Sequence, residues 1–326
     1  MDKVDETIAE IVSDTTKEAS TEAVCEPGEK EMTAAEKRAA ERKTRELRVK
    51  ELRERKSREE TKAESVKGEK TAYDFVLAAR SKDRLTSLDY IKGMFTDFIE
   101  LHGDRRFADD PAIVGGIAYL EGIPFTIVAT EKGRDTKSRV KRNFGTPNPE
   151  GYRKSLRLMK QAEKFKRPVI CFVDTAGAFC GIGAEERGQG HAIAENILTM
   201  STLETPILTI LIGEGGSGGA LALAVADEVW ILENAVYSVI SPEGCANILW
   251  REPDKAPEAA KNLKLTSQSI SELGIVEKVI PEKDKDHDKL LSEISKQIVK
   301  WYESVKDLSP EELTSRRYER FRKFGV

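Results

Sequence analysis

Two corners of the chain are dense in glycine. One is "DTAGAFCGIGAEERGQG", residues 174–190; the other is "GEGGSGGALALAVAD", residues 213–227. Each follows an apolar run of strand type and precedes a stretch of helix type. Such a corner exposes backbone N–H groups, and the helix N-terminus adds partial positive charge. Glycine costs entropy on folding, so its concentration here needs a reason. Bare backbone lets a ligand come close to the amides. Two such corners make two pockets for negative charge, as an enolate or a tetrahedral oxyanion requires.

Other chemistries fit the same residues. Gly213, Gly215 and Gly218 match G-x-G-x-x-G, and Glu233 stands about 20 positions on, where a dinucleotide fold places its acidic residue. That fingerprint usually opens a domain, whereas here it comes late in the chain. A Walker A loop fails, because no Lys-Ser/Thr follows the glycines. Gly215 to Gly219 also match G-x-S-x-G, a nucleophile elbow around Ser217. Its base would be His287, set in the charged stretch "EKDKDHDKL", or His191, which precedes the serine. A fourth reading leaves the glycines a packing role alone.

The elements that must hold these corners alternate strand and helix, an α/β pattern. "PVICFVD" and "PILTILI" are the strands that feed the two corners. "AIVGGIAYLEGIPFTIVATEK" reads as two strands joined at Glu121-Gly122. "AYDFVLAARSKDRLTSLDYIKGMFTDFIELHG" reads as helical, with Ser87 as an N-cap. Residues 152–165 form a helix with Leu156, Met159 and Ala162 on one face. A helix near residues 184–203 follows the first corner. "VWILE" and "VYSVI" are short strands. "SPEGCANILW" starts a helix, with Ser241 as N-cap and Pro242 at N1, and helices dominate from there to Phe324. Some helices have more than one strand each, which fits a plain Rossmann repeat poorly.

The 326 residues are 39% hydrophobic, enough for a sizeable core, and the net charge of −4 leaves no nucleic-acid footprint. No run is long enough to span a membrane, and the polar N-terminus has no signal-peptide core. The four cysteines and three histidines are scattered, so neither a disulfide framework nor a metal site is expected. A cytoplasmic protein is the expectation. No aromatic residue precedes Tyr73, and residues 32–67 are densely charged with mixed sign. Residues 1–70 therefore read as a charged helical or disordered extension, with a partner-binding arm as the alternative. Residues 71–326 read as the globular domain.

Several longer blocks carry a resemblance. "FADDPAIVGGIA", "RNFGTPNPEGYRKSLRLMKQAEKFKRP", "GAEERGQG", "GEGGSGGALAL" and "YSVISPEGCANILW" together resemble the alpha subunit of the bacterial-type acetyl-coenzyme A carboxylase carboxyltransferase, over about residues 73–325. The resemblance implies a crotonase-like (ClpP/crotonase) superhelix of ββα units with helical N- and C-terminal extensions. It implies transfer of a carboxyl group from carboxybiotin, held on a biotin carboxyl carrier protein, to acetyl-CoA. The product is malonyl-CoA for fatty acid synthesis. The implied partners are a beta subunit in an α2β2 heterotetramer, the carrier, and biotin carboxylase in an ATP-dependent holoenzyme. In the implied mechanism the biotin nitrogen takes the proton from the acetyl methyl group. The protein then needs no side-chain base, only preorganised donors for two oxyanions.

By the same resemblance the amides of Gly218 and Gly219 stabilise the biotin-side oxyanion. Gly177, Ala178, Gly215, Gly216 and Ser217 shape the cleft. Arg134, Lys137, Arg139, Lys141 and Arg142, in the basic loop at residues 132–142, are candidates to contact the acidic carrier or CoA phosphates, with a solvated loop as the alternative. Glu185, Glu186 and Arg187 are expected to brace the first corner, and Glu243 and Asn247 to be structural or interfacial. The chain departs from the family's D-T-P-G-A-[YF]-P-G pattern at Ala176 and Cys180, which removes two loop-stiffening prolines. Within the same fold, a self-sufficient acyl-CoA carboxyltransferase or decarboxylase is the alternative. Outside it, the alternative is a non-enzymatic scaffold.

Overall fold

A computed structural model describes residues 70–282 and 286–324. The charged extension lies outside the described residues up to Glu69.

One mixed sheet of eight strands organises the domain. Strands β1 (Thr96–Glu100), β2 (Ile113–Leu120) and β3 (Ile123–Thr130) are antiparallel neighbours. Strands β4 (Val169–Thr175), β5 (Ile207–Gly216), β6 (Glu228–Leu232) and β8 (Lys278–Ile280) continue the sheet in parallel from β3. Between β6 and β8 in sequence comes β7 (Val236–Ser238), which pairs with β5 instead. Thus β5 forks. Leu208 to Leu211 pair with β6, and Glu214 to Gly216 pair with β7. All ten residues of β5 are buried, as the continuous apolar run of an interior parallel strand predicts.

The β2–β3 hairpin turns at Glu121 and Gly122, both at positive φ (49° and 78°), the geometry of a tight hairpin turn. Helix α1 (Ala72–Ala79) is capped by Thr71. Helix α2 (Ser87–Met94) starts one residue earlier than expected. Thr86 is its N-cap, with its N–H on Asp89, while Ser87 turns inward and donates to the Thr130 carbonyl at 2.6 Å. The stretch after α2 corrects the helical reading, because β1 begins at Thr96. The basic loop contains a helical turn, α3 (Thr136–Lys141), capped by Asp135.

Helix α4 (Pro149–Lys164) carries proline at its first turn and so begins before Tyr152. The helix expected near residues 184–203 is two, α5 (Ile182–Glu186) and α6 (Gln189–Thr202), broken where Gly188 takes the left-handed conformation. After β5 comes α7 (Ser217–Leu221). Then follow α8 (Pro242–Trp250), with Ser241 and Pro242 placed as expected, α9 (Ala256–Leu263) and α10 (Ser267–Glu272). The short β8 interrupts the run of helices that the sequence suggests.

Helix α11 (His287–Val305) buries Leu291, Ile294, Ile298, Trp301 and Val305, spaced three and four apart along one stripe. With α2 it covers the face of Phe125 and Phe172, where Tyr90, Phe95 and Tyr302 complete an aromatic cluster. Leu158 of α4 fills the space over Gly115 on the other face. Helix α12 (Pro310–Arg322) is pinned by one side chain. Arg317, 1% exposed, donates to both Asp227 carboxylate oxygens at 2.9 and 3.0 Å. It also reaches the carbonyls of Met200, Leu203 and Thr205 at 2.7, 2.8 and 3.1 Å.

Candidate active site

The two glycine corners leave the carboxyl ends of β4 and β5, neighbouring parallel strands, where open parallel sheets place their ligands. The sheet therefore brings together what 40 residues of sequence separate.

The first corner is internally tied. Gly177 sits at φ 147°, and its N–H donates to Thr175 Oγ1 at 3.1 Å, while that hydroxyl donates to the Gly177 carbonyl at 2.8 Å. The Phe179 N–H donates to the Pro147 carbonyl at 3.0 Å. Gln189 Nε2 donates to the Phe179 and Pro147 carbonyls, each at 2.8 Å. Arg187 pairs with Glu150 and so braces this corner from the side.

The second corner is open. Ser217 holds φ 52°, unusual for a residue with a Cβ, as the chain turns from β5 into α7. No side chain caps α7, and the Gly218 and Gly219 amides donate to no other element among the described residues. Both belong to the first turn, whose N–H groups have no acceptor inside the helix.

Two of the glycines are required by contact. A Cβ on Gly216 would lie 2.1 Å from the Ala176 carbonyl oxygen. One on Gly219 would lie 2.5 Å from the Ala178 nitrogen and 2.9 Å from Tyr152 Oη. The corners thus touch backbone to backbone. Gly215 and Gly216 are buried, while Ser217 and Gly218 border a cavity of about 960 Å³. Its walls are largely apolar, including Ile197, Leu221 and Val225 on one side and Tyr318 and Phe321 of α12 on the other.

Beneath the corners lies a charged layer that the motifs did not announce. Lys132 Nζ is 2.7 Å from both Asp174 and Glu214. Glu214 also accepts from Arg80 Nε at 2.7 Å, and Arg80 reaches Glu243 at 2.7 Å. Burial alone would raise the Glu214 pKa; Lys132 and Arg80 outweigh it and hold the carboxyl below its usual range. The sequence hints at it only by one acidic residue near the start of each glycine-rich stretch, Asp174 and Glu214.

The basic loop divides. Arg134 pairs with Asp89, Arg139 donates to the Gly133 carbonyl, and Arg142 donates to the Pro111 carbonyl at 2.7 Å. Lys137 and Lys141 are exposed. Arg134 and Arg139 border a second cavity of about 280 Å³, beside Ala176 at the first corner. Cys180 is exposed.

The rival chemistries lose their partners. Among the described residues neither His191 nor His287 hydrogen-bonds Ser217, and both are exposed. The Glu233 carboxylate accepts from the Glu282 N–H rather than standing free for a ribose. Among the described residues no group of His, Cys, Asp or Glu side chains is arranged to hold a metal ion. No helix described is long and apolar enough to cross a membrane.

Comparison with known proteins agrees with this geometry. A family model described as acetyl co-enzyme A carboxylase carboxyltransferase-like matches residues 22–325. The acetyl-coenzyme A carboxylase carboxyl transferase subunit alpha of Ruminiclostridium cellulolyticum is 58% identical over 256 residues, 78% of this chain and 98% of that protein. The protein of Natranaerobius thermophilus named as subunits beta/alpha is 57% identical over 78% of this chain. The chain spans only 43% of that longer polypeptide. Among solved structures, transcarboxylase 12S aligns over 69% of this chain and 42% of its own, with a TM-score of 0.57 at 20% identity. A chain of a Pseudomonas malonate decarboxylase hetero-tetramer aligns over 65% of this chain and 86% of its own, with a TM-score of 0.53 at 18% identity. These two share the fold, an α/β architecture of the crotonase-like kind. The sequence relatives carry more, and on them the chain belongs to the acetyl-CoA carboxylase carboxyltransferase family, on its alpha-subunit branch.

Proposed function

We propose that this chain is the alpha half of a biotin-dependent carboxyltransferase. With a beta subunit it moves a carboxyl group from carboxybiotin to acetyl-CoA, giving malonyl-CoA. The beta/alpha fusion in a relative supports a beta partner. We extend the assembly to an α2β2 heterotetramer served in the cytoplasm by a biotin carboxyl carrier protein and biotin carboxylase.

The observation that carries the reading is the pair of amides at Gly218, on the border of a large apolar cavity, and Gly219, buried behind it, which meet no acceptor among the described residues. The residues fit the group. Apolar walls suit a fused ring and alkyl arm, and the free N–H groups suit an oxygen that gains negative charge. When bound, carboxybiotin supplies the carboxyl group and a basic nitrogen. The chain's own task is to aim two amides, exclude water with Leu221, Val225 and Phe321, and keep the corner rigid. A donor of this kind contributes about 3–4 kcal/mol to the transition state. Ser217 acts through its backbone, which directs the turn, and not as a nucleophile. Lys137 and Lys141, exposed on the loop, are the residues free to meet an acidic carrier.

The test is to purify the chain alone and with a beta-type subunit, and to assay malonyl-CoA-dependent carboxylation of biocytin. Activity in the mixture alone is expected. Activity from this chain alone would mean a self-sufficient enzyme. A stable complex without activity would favour a scaffold.

A further inference from the structure

The charged layer lies outside the large cavity, and its connections give it a separate task. Asp174 is the penultimate residue of β4, and Glu214 stands two places before the end of β5. Lys132 follows β3 by two residues. Its ammonium reaches one carboxylate oxygen of each, at 2.7 Å. The same Asp174 oxygen accepts the Glu214 N–H at 2.8 Å, and the Asp174 N–H donates to Thr130 Oγ1 at 2.6 Å. Three strands are therefore stitched at their carboxyl ends, immediately under both corners.

The lysine is held as tightly as what it holds. The side chains of Lys132, Asp174 and Glu214 are 15%, 14% and 11% exposed. Gly145, at φ 73°, presses on the lysine stem: a Cβ there would lie 2.5 Å from Lys132 Cγ and 3.1 Å from the Asp174 carbonyl oxygen. That gives the glycine of "RNFGTP" a reason. Burial alone would lower the Lys132 pKa, but Asp174 and Glu214 outweigh it and raise it, so the ammonium stays charged and takes no proton in the reaction.

We propose that Lys132 is a positioning residue for carboxyl transfer: by bridging Asp174 and Glu214 it sets the spacing of the two glycine corners and thereby the aim of the Gly218 and Gly219 amides. The inference rests on the reading of those amides as oxyanion donors. A misplacement on the order of 1 Å at such donors costs up to about a hundredfold in rate.

The variant Lys132→Met, assayed as the complex with a beta subunit, keeps the stem and removes the charge. Its kcat should fall about tenfold to a hundredfold with the KM for malonyl-CoA within about twofold. Removing the ammonium leaves two carboxylates facing one another without the cation that bridges them, and Arg80 remains on Glu214 alone. The other ionisable groups around the pair are Arg80 and Glu243, Arg84 and Glu282, Lys82, Arg134 and Arg139 across the adjoining small cavity, and the Tyr90 phenol, whose pKa burial raises. All of them are unchanged in the variant.

Adding Asp174→Asn removes one of the facing charges and supplies an amide donor to Glu214, and should recover part of kcat. A kcat loss that does not respond to Asp174→Asn, or a KM that changes as much as kcat, would overturn the proposal, as would wild-type kcat in Lys132→Met. Should Lys132→Met fail to assemble, the double variant carries the test: wild-type kcat there overturns the proposal, and lowered kcat at unchanged KM supports it. Failure of the underlying reading looks different, because Gly218→Val would then keep normal turnover in the complex whatever Lys132→Met does.

Discussion

The corner after β4 and the corner after β5 are alike in sequence and opposite in use. In the first, the Gly177 and Phe179 amides are both engaged, by Thr175 and Pro147. In the second, the Gly218 and Gly219 amides meet no acceptor among the described residues, at the start of a five-residue helix. Glycine serves the first corner by permitting φ 147° at Gly177. It serves the second by permitting contact at Gly216 and Gly219 and approach at Gly218. Glycine content alone does not mark a donor site; the hydrogen bonds already made around it decide. The first corner is a wall against which the second is set.

The comparison breaks most severely if the contact between corners is disturbed. Gly216→Ala forces a Cβ against backbone that cannot swing aside, so we expect a loss of about 3 kcal/mol in thermal or urea unfolding and turnover below detection. Wild-type melting would show that the corners do not touch. Gly218→Val separates chemistry from folding. A Cβ there meets only Ile193 Cγ2 at 3.7 Å, so the melt and subunit assembly should be unchanged. Turnover should fall about a hundredfold. Normal turnover would remove the oxyanion argument.

Thr175→Val probes the wall. It leaves the Gly177 N–H without its acceptor, at a cost of about 1–2 kcal/mol in stability. Steady-state kinetics should show a far smaller turnover loss than for Gly218→Val. A comparable loss would make the first corner a participant in the chemistry. The smallest effect is expected from Ala176→Pro. The Ala176 N–H makes no hydrogen bond outside the strands among the described residues, and Thr175 before it is extended. Restoring the proline should leave activity within about twofold and add roughly 0.5 kcal/mol of stability in a melt.

Much of this frame was legible in the sequence because its signals are local. The Glu121-Gly122 turn, the Ser241-Pro242 helix start and the two apolar strands before the corners needed only neighbouring residues to read. Strand β1 did not show because it is a short edge strand with no fully buried residue, so "TDFIE" reads as the tail of the preceding helix. The basic loop hid α3, although Asp135 and Ser138 form its capping box. The charged layer was invisible for a different reason. Lys132 and Glu214 are 82 residues apart, and only the register of β3, β4 and β5 makes them neighbours. The glycines announced where bare backbone was needed, but not which amides would remain free.

The Arg317 pin bears on the order in which the molecule can be completed. Synthesis runs from the N-terminus, so the sheet and both glycine corners emerge long before residue 317. Until then Asp227 and the carbonyls of Met200, Leu203 and Thr205 lack the guanidinium that satisfies them. The cavity beside Gly218 also lacks its Tyr318 and Phe321 wall. A nascent chain can thus form its amide corner but not the chamber around it, and a helix that leaves the ribosome only after the sheet is the one that closes the site.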